Sequence, residues 1–106
     1  MLHQATREYL LQLESELKRQ SLWASEAPSP ESLASTAPFA VDTLAFEHWL
    51  QFIFIPRMQA LLDTEAQLPA NIAVAPMAHH VWQDNAERIH LIRILNDLDT
   101  LLNEPR

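Results

Sequence analysis

The sequence predicts an all-α fold: a single-domain four-helix bundle with a long Pro/Ser-rich connection between helices 1 and 2 and a short third helix. Three observations carry that reading. Apolar residues recur at three- and four-residue steps in several segments, and none alternates with the two-residue period of a half-buried strand. Seven prolines punctuate these segments, and the chain contains no glycine. The stretch 38–58, PFAVDTLAFEHWLQFIFIPRM, begins as a turn and continues as a run apolar on nearly every side. A helix of that character is buried on most of its surface, so the other segments are expected to wrap around it.

The first helix is expected over 3–22. Leu10, Leu13 and Leu17 line one face, Tyr9 adds a second row beside Leu13, and Glu14, Glu16, Lys18 and Arg19 fall mostly opposite. Residues 24–42 hold Pro28, Pro30, Pro38 and four serines, which interrupt any long helix. Within them Ser29-Pro30-Glu31 suits a short helical turn, with serine as N-cap and proline at the first helical position. Trp23, Leu33 and Phe39 are expected to tack this connection onto the core.

The second helix is expected over 43–63, capped by Asp42 and Thr43, whose oxygens can accept the free amides of the first turn. Leu44, Phe46, Trp49, Leu50, Phe52–Ile55, Met58, Leu61 and Leu62 surround it. Each of these large side chains contributes roughly 1.5–3 kcal/mol if fully buried, the greatest apolar payload of any segment. Pro56 removes one amide and clashes with the preceding turn, which predicts a kink or a restart near Ile55. Such a bend either wraps the helix around the core or presents Arg57 to a partner.

The segment 68–76, LPANIAVAP, reads as an extended connection bracketed by prolines. Pro76 opens a short third helix over 76–82, with Met77, Val81 and Trp82 inward. Asp84 and Glu87 form a capping-box-like start to the last helix, 84–103, whose Leu91, Leu95, Leu98 and Leu102 share one face flanked by Ile94 and Leu101.

Absent residue types exclude much chemistry. Without cysteine there is no disulfide, thiolate metal site or cysteine nucleophile. Without glycine there is no phosphate-binding loop or dinucleotide fingerprint. Seven Lys and Arg against fourteen Asp and Glu give a net charge of −7, and the only adjacent basic pair is Lys18–Arg19. Direct nucleic-acid binding needs clustered cations, so it is not expected; a basic protein partner is favoured instead. No signal peptide or membrane-spanning run is read, and a cytoplasmic location is expected.

Candidate sites are few. Glu87 and His90 have the E-x-x-H spacing of carboxylate-bridged metal sites, but no second copy exists to complete one, and no metal or cofactor is expected. His79 and His80 are adjacent, so on a helix they diverge by about 100° and cannot chelate one ion well. His48, beside Trp49, suits a satisfied buried histidine. No G-x-S-x-G elbow accompanies the serines, and no catalytic residue is named. The large apolar residues around the second helix remain: Trp49, Phe52, Phe54 and Met58 exceed what one face of a small bundle needs, so either some form an exposed interaction patch or all are simply core. Tryptophan and arginine are favoured binding anchors.

At these residues the chain resembles the YqcC-like family of small bacterial proteins. The matches are Trp23, Pro28, Ser35–Thr36, Pro38–Phe39, Asp42–Thr43, Trp49-Leu50-Gln51, Ile55-Pro56-Arg57-Met58, Leu68–Pro69 and Val74-Ala75-Pro76. The resemblance covers nearly the whole chain, 1–106, as one helical domain, and weakens beyond Met77. It implies an all-α bundle in the cytoplasm of a gammaproteobacterium, without established enzymatic activity. Members of the family are commonly encoded beside a tRNA pseudouridine synthase. The expected function is therefore a non-catalytic accessory protein that binds such a synthase, through Phe39, Asp42, Trp49, Arg57 and Met58. A small-molecule- or metal-binding bundle is the alternative from another class.

Overall fold

The computed structural model describes residues 2–104. Helix α1 (Leu2–Arg19) buries Leu10, Leu13 and Leu17, the stripe its periodicity dictates. It stops three residues before the expected end because Ser21 turns left-handed, with φ 61°. The Leu22 amide then reaches the Leu17 carbonyl and the Ser21 amide reaches that of Lys18, satisfying groups the helix would leave free. Glycine usually occupies this position; here serine bears the steric cost.

Helix α2 (Pro30–Leu33) is the expected short turn, with the Ser29 hydroxyl accepting from the Ser32 amide and Pro30 in the first turn. Trp23 and Phe39 lie partly buried against the core, as expected, whereas Leu33 is half-buried outside it. After a tight turn over Pro38–Ala40, α3 occupies residues 46–63. Asp42 and Thr43 do not cap it. Ser35 donates its hydroxyl to Asp42, and the Thr43 hydroxyl donates to the Ser32 carbonyl at 2.8 Å, so both residues knit the connection to itself. The N-cap is Ala45, which offers no side-chain oxygen.

Pro56 acts differently from a simple kink. The helix widens into a π turn over Leu50–Phe54 and returns to α geometry over Ile55–Asp63. Backbone angles stay right-handed helical at Trp49, Leu50, Phe54 and Ile55, so the helix runs through. A widened turn gives the pyrrolidine ring room where a regular one would drive it into the Phe52 carbonyl.

Helix α4 (Ala75–Val81) and helix α5 (Ile89–Asn103) complete the bundle. Trp82 is buried as expected, but Val81 is 40 % exposed and is not an inward residue. The capping box expected from Asp84 and Glu87 is also corrected. Asp84 sits at φ 65°, and the Asn85 side chain accepts from the Glu87 amide at the start of a short 3-10 turn, Ala86–Arg88.

The most extensive packing is between α1 and α5, with α4 laid on α5 and the end of α3 against α1. Leucines from α1 and α5 meet Leu50, Phe54, Ile55, Met58 and Leu62 of α3 in one core. Long-range side-chain hydrogen bonds hold the connections down. The Gln51 amide group pairs with both Ala24 backbone groups at 2.8 and 2.9 Å, and Asn103 grips Ile72 the same way at 2.8 and 2.7 Å. Asp99 accepts from the Ala75 amide at 2.8 Å, serving as the cap that Val74 cannot supply. Burial pushes the Asp99 carboxyl up, against the Ala75 and Val74 amides that favour its charged form. Among the described residues no helix is long and apolar enough to cross a membrane.

Candidate functional site

Helix α3 carries Trp49, Ile53 and Arg57 at four-residue steps, so all three share one face. That face and the 33–40 connection enclose a surface groove of about 480 Å³, lined also by Leu33, Ser35, Phe39 and Phe52. Three of the five residues expected to bind a partner therefore come together: Phe39, Trp49 and Arg57. Asp42 lies outside the lining but holds Ser35, which is part of it.

Met58 is the exception. It is only 2 % exposed and belongs to the core, so it is not a contact residue. The reason is angular: consecutive helical residues diverge by about 100°, so a helix that turns Arg57 outward turns Met58 inward.

The walls of the groove are fixed by ring contacts. Phe39 meets Trp49 edge-on at 4.8 Å between centroids, and Trp49 stacks on Phe54 at 5.5 Å and on Phe46 at 5.9 Å. Aromatic pairs at these separations contribute about 0.5–1.5 kcal/mol each beyond area burial. Trp49 is thus half-buried and held on three sides with its remaining surface available. Phe39 reaches it only because Phe39 and Ala40 both adopt left-handed backbone, with φ 57° and 49°. Each such non-glycine residue costs on the order of 1–3 kcal/mol, a strain that clusters at binding sites more often than elsewhere. The π turn in the same helix is a second irregularity of that kind.

Other candidates resolve as structure. His48 is half-buried with its ring 6.3 Å from that of Phe52. His79 contacts Asn96 at 3.3 Å, while Glu87 and His90 are exposed. Among the described residues no three His, Asp or Glu side chains group as metal ligands would. A larger groove of about 710 Å³ lies between α1 and α5, where Glu16 accepts from Arg19 and Gln20. Those two partners hold the Glu16 carboxyl down at about 2. There Arg19 faces an acid of its own helix.

Sequence reading missed Leu33, Ser35 and Ile53 as lining residues. The four-residue stripe of 49, 53 and 57 could have found Ile53. The loop residues carry no local signal, since only the turn after Ser35 folds them over α3.

Comparison with known proteins adds the family. The family model described as "tRNA pseudouridine synthase C", for DUF446, matches residues 5–101. An uncharacterised protein of Haemophilus influenzae is 38 % identical over 98 residues, covering 92 % of each chain. Protein YqcC of Escherichia coli K12 is 37 % identical over 100 residues, covering 93 % of this chain and 92 % of that one. The solution NMR structure of E. coli YqcC superposes with a TM-score of 0.87 at 35 % identity, over 99 % of this chain and 91 % of that chain. A Pectobacterium carotovorum protein named tRNA pseudouridine synthase C is 37 % identical over 82 residues, which are 77 % of this chain and 22 % of that protein. With the same helical fold and near end-to-end similarity, the chain belongs to the DUF446 family that includes E. coli YqcC.

Proposed function

We propose that this chain is a non-catalytic accessory protein that docks on a tRNA pseudouridine synthase. One observation carries the reading: a segment 37 % identical to it forms 22 % of a single polypeptide named tRNA pseudouridine synthase C. Joined in one chain, two modules meet at millimolar effective concentration without needing a strong interface. As a separate chain, the same module needs a surface that finds its partner, and the Phe39–Trp49–Arg57 groove supplies anchors of the favoured types.

Charge supports the same arrangement. A chain of net charge −7 steers toward a basic surface and is repelled by the phosphates of tRNA. On this reading the synthase holds the tRNA in the cytoplasm and the accessory protein touches only the synthase. The test is co-purification of the tagged chain with the synthase of the same genome, followed by titration of the two purified proteins. A complex at micromolar concentration is expected. If none forms at that concentration in low salt, where electrostatic attraction is strongest, the proposal fails.

A further inference from the structure

The groove on α3 differs in charge from the surface around it. Among the described residues Arg57 is its one charged lining residue, on a chain whose net charge is −7. Four other surface grooves each carry at least one carboxylate, from Glu16 in one to Asp84 in another. Lys18 and Arg19 pair with acids of their own helix, whereas the exposed Arg57 side chain has no ion pair or hydrogen bond among the described residues. Ser35, which brings a hydroxyl to the lining, is already committed to Asp42. The groove therefore offers an unspent guanidinium in a lining that also holds Trp49 and Phe52.

We propose that this groove takes an aspartate or glutamate side chain, with an apolar neighbour, from an extended segment of the partner protein. This deepens the docking reading and, as far as the partner is concerned, rests on it. The carboxylate accepts from the guanidinium, a charge-assisted pairing that arginine can make with two parallel hydrogen bonds. The apolar neighbour lies against Trp49 and Phe52. About 480 Å³ is too much for a carboxylate alone and suits more than one side chain. Walls already fixed by the Phe39–Trp49 contact at 4.8 Å spare the occupant the entropy of ordering them. A run of RNA phosphates is the disfavoured occupant, because one cation cannot offset the repulsion between many phosphates and an acidic chain. The partner thus combines a basic surface, which draws it in, with one acidic segment that sets its register.

The experiment follows the Trp49 indole and Arg57 side-chain NMR signals during titration of the full chain with blocked pentapeptides. Ala-Leu-Glu-Phe-Ala is the probe, with Gln and Lys in place of Glu as controls. The Glu peptide should shift both signals, the Gln peptide should bind about tenfold more weakly, and the Lys peptide should shift neither. Arg57→Gln, a change at an exposed site, should abolish the difference between Glu and Gln peptides. Equal responses to the Glu and Gln peptides, or a stronger one to Lys, overturn the inference. So does free tRNA if it moves the same signals at lower concentration than the Glu peptide. Synthase binding separates the two claims. If wild type binds the synthase and Arg57→Glu binds it equally well, the groove is not the contact and the inference is overturned. If the Glu peptide is preferred while the synthase never binds, the inference stands and its assigned partner falls.

Discussion

The seam between α1 and α5 and the aromatic end of α3 are built by opposite rules. In the seam, Leu13, Leu17, Leu91, Leu95, Leu98 and Leu102 are all fully buried, on helices of regular α geometry. At the aromatic end the backbone breaks its regularity in two ways, with a π turn and two left-handed residues. There Phe39 and Trp49 stay half-buried beside an exposed Arg57. Regular geometry closes the first region on itself. Irregular geometry holds side chains of the second in fixed positions without covering them, which is what a preformed contact surface requires.

The sharpest way to break this contrast is substitution. Leu95→Ala leaves a cavity in the seam and should cost about 2–5 kcal/mol in chemical denaturation. Trp49→Ala, although it removes a larger side chain, should cost less than Leu95→Ala because part of the ring is already in water. Its main effect should be on synthase binding. If Trp49→Ala destabilises more than Leu95→Ala, the aromatic end is core and the contrast is wrong.

Gln51 comes next. Gln51→Ala leaves both Ala24 backbone groups without their side-chain partner and should cost about 1–3 kcal/mol. Hydrogen exchange should accelerate at Ala24 ahead of the seam leucines, since the connection is released before the bundle opens.

Asp99 separates capping from charge. Asp99→Ala uncaps α4 and should cost about 1 kcal/mol. Asp99→Asn keeps an oxygen for the Ala75 amide and removes a carboxyl whose pKa burial raises above 3.8. A raised acid pKa means that the folded chain binds the proton more tightly. Its stabilisation is complete below the unfolded value and is lost as pH rises through the folded value. The Asn variant should therefore gain on wild type as pH rises through that window. Glu16 has the opposite sign: held down from 4.5 to about 2, its contribution is present above 4.5 and lost as pH falls toward 2. A Glu16→Gln variant should lose that acid-side slope.

The smallest effect expected is a gain. Glu65 sits at φ 55° after α3, where the Ala66 amide reaches the Leu61 carbonyl, a position made for glycine. Glu65→Gly should be neutral or raise stability by up to about 1 kcal/mol, the relief of left-handed strain exceeding the entropy lost.

The same contrast explains what could be read from the sequence. The leucine stripes of α1 and α5 and the Ser29–Pro30 turn are local signals, and they stand in the structure as the periodicity and capping rules require. Asp42, Thr43 and Asp84 misled because their side chains suit a helix cap wherever they occur. The tight turns beside them put Ala45 and Asn85 at the caps instead. Pro56 announced a disturbance but not its form, because a π turn depends on packing around the whole helix. Gln51, Asp99 and Asn103 act across 24 to 31 residues, and no periodicity records such a bond. Within the groove, the helical stripe of Trp49 and Arg57 was legible, whereas the loop wall at Ser35 appears only once the chain has folded.

The central claim is that the partner meets the molecule at the aromatic end. Hydrogen-exchange footprinting of the complex with the synthase tests it most directly. Protection is expected to concentrate in 33–40 and 49–57, with the outer faces of α1 and α5 unchanged. Protection centred instead on Leu11, Arg93 and the groove between α1 and α5 would contradict it.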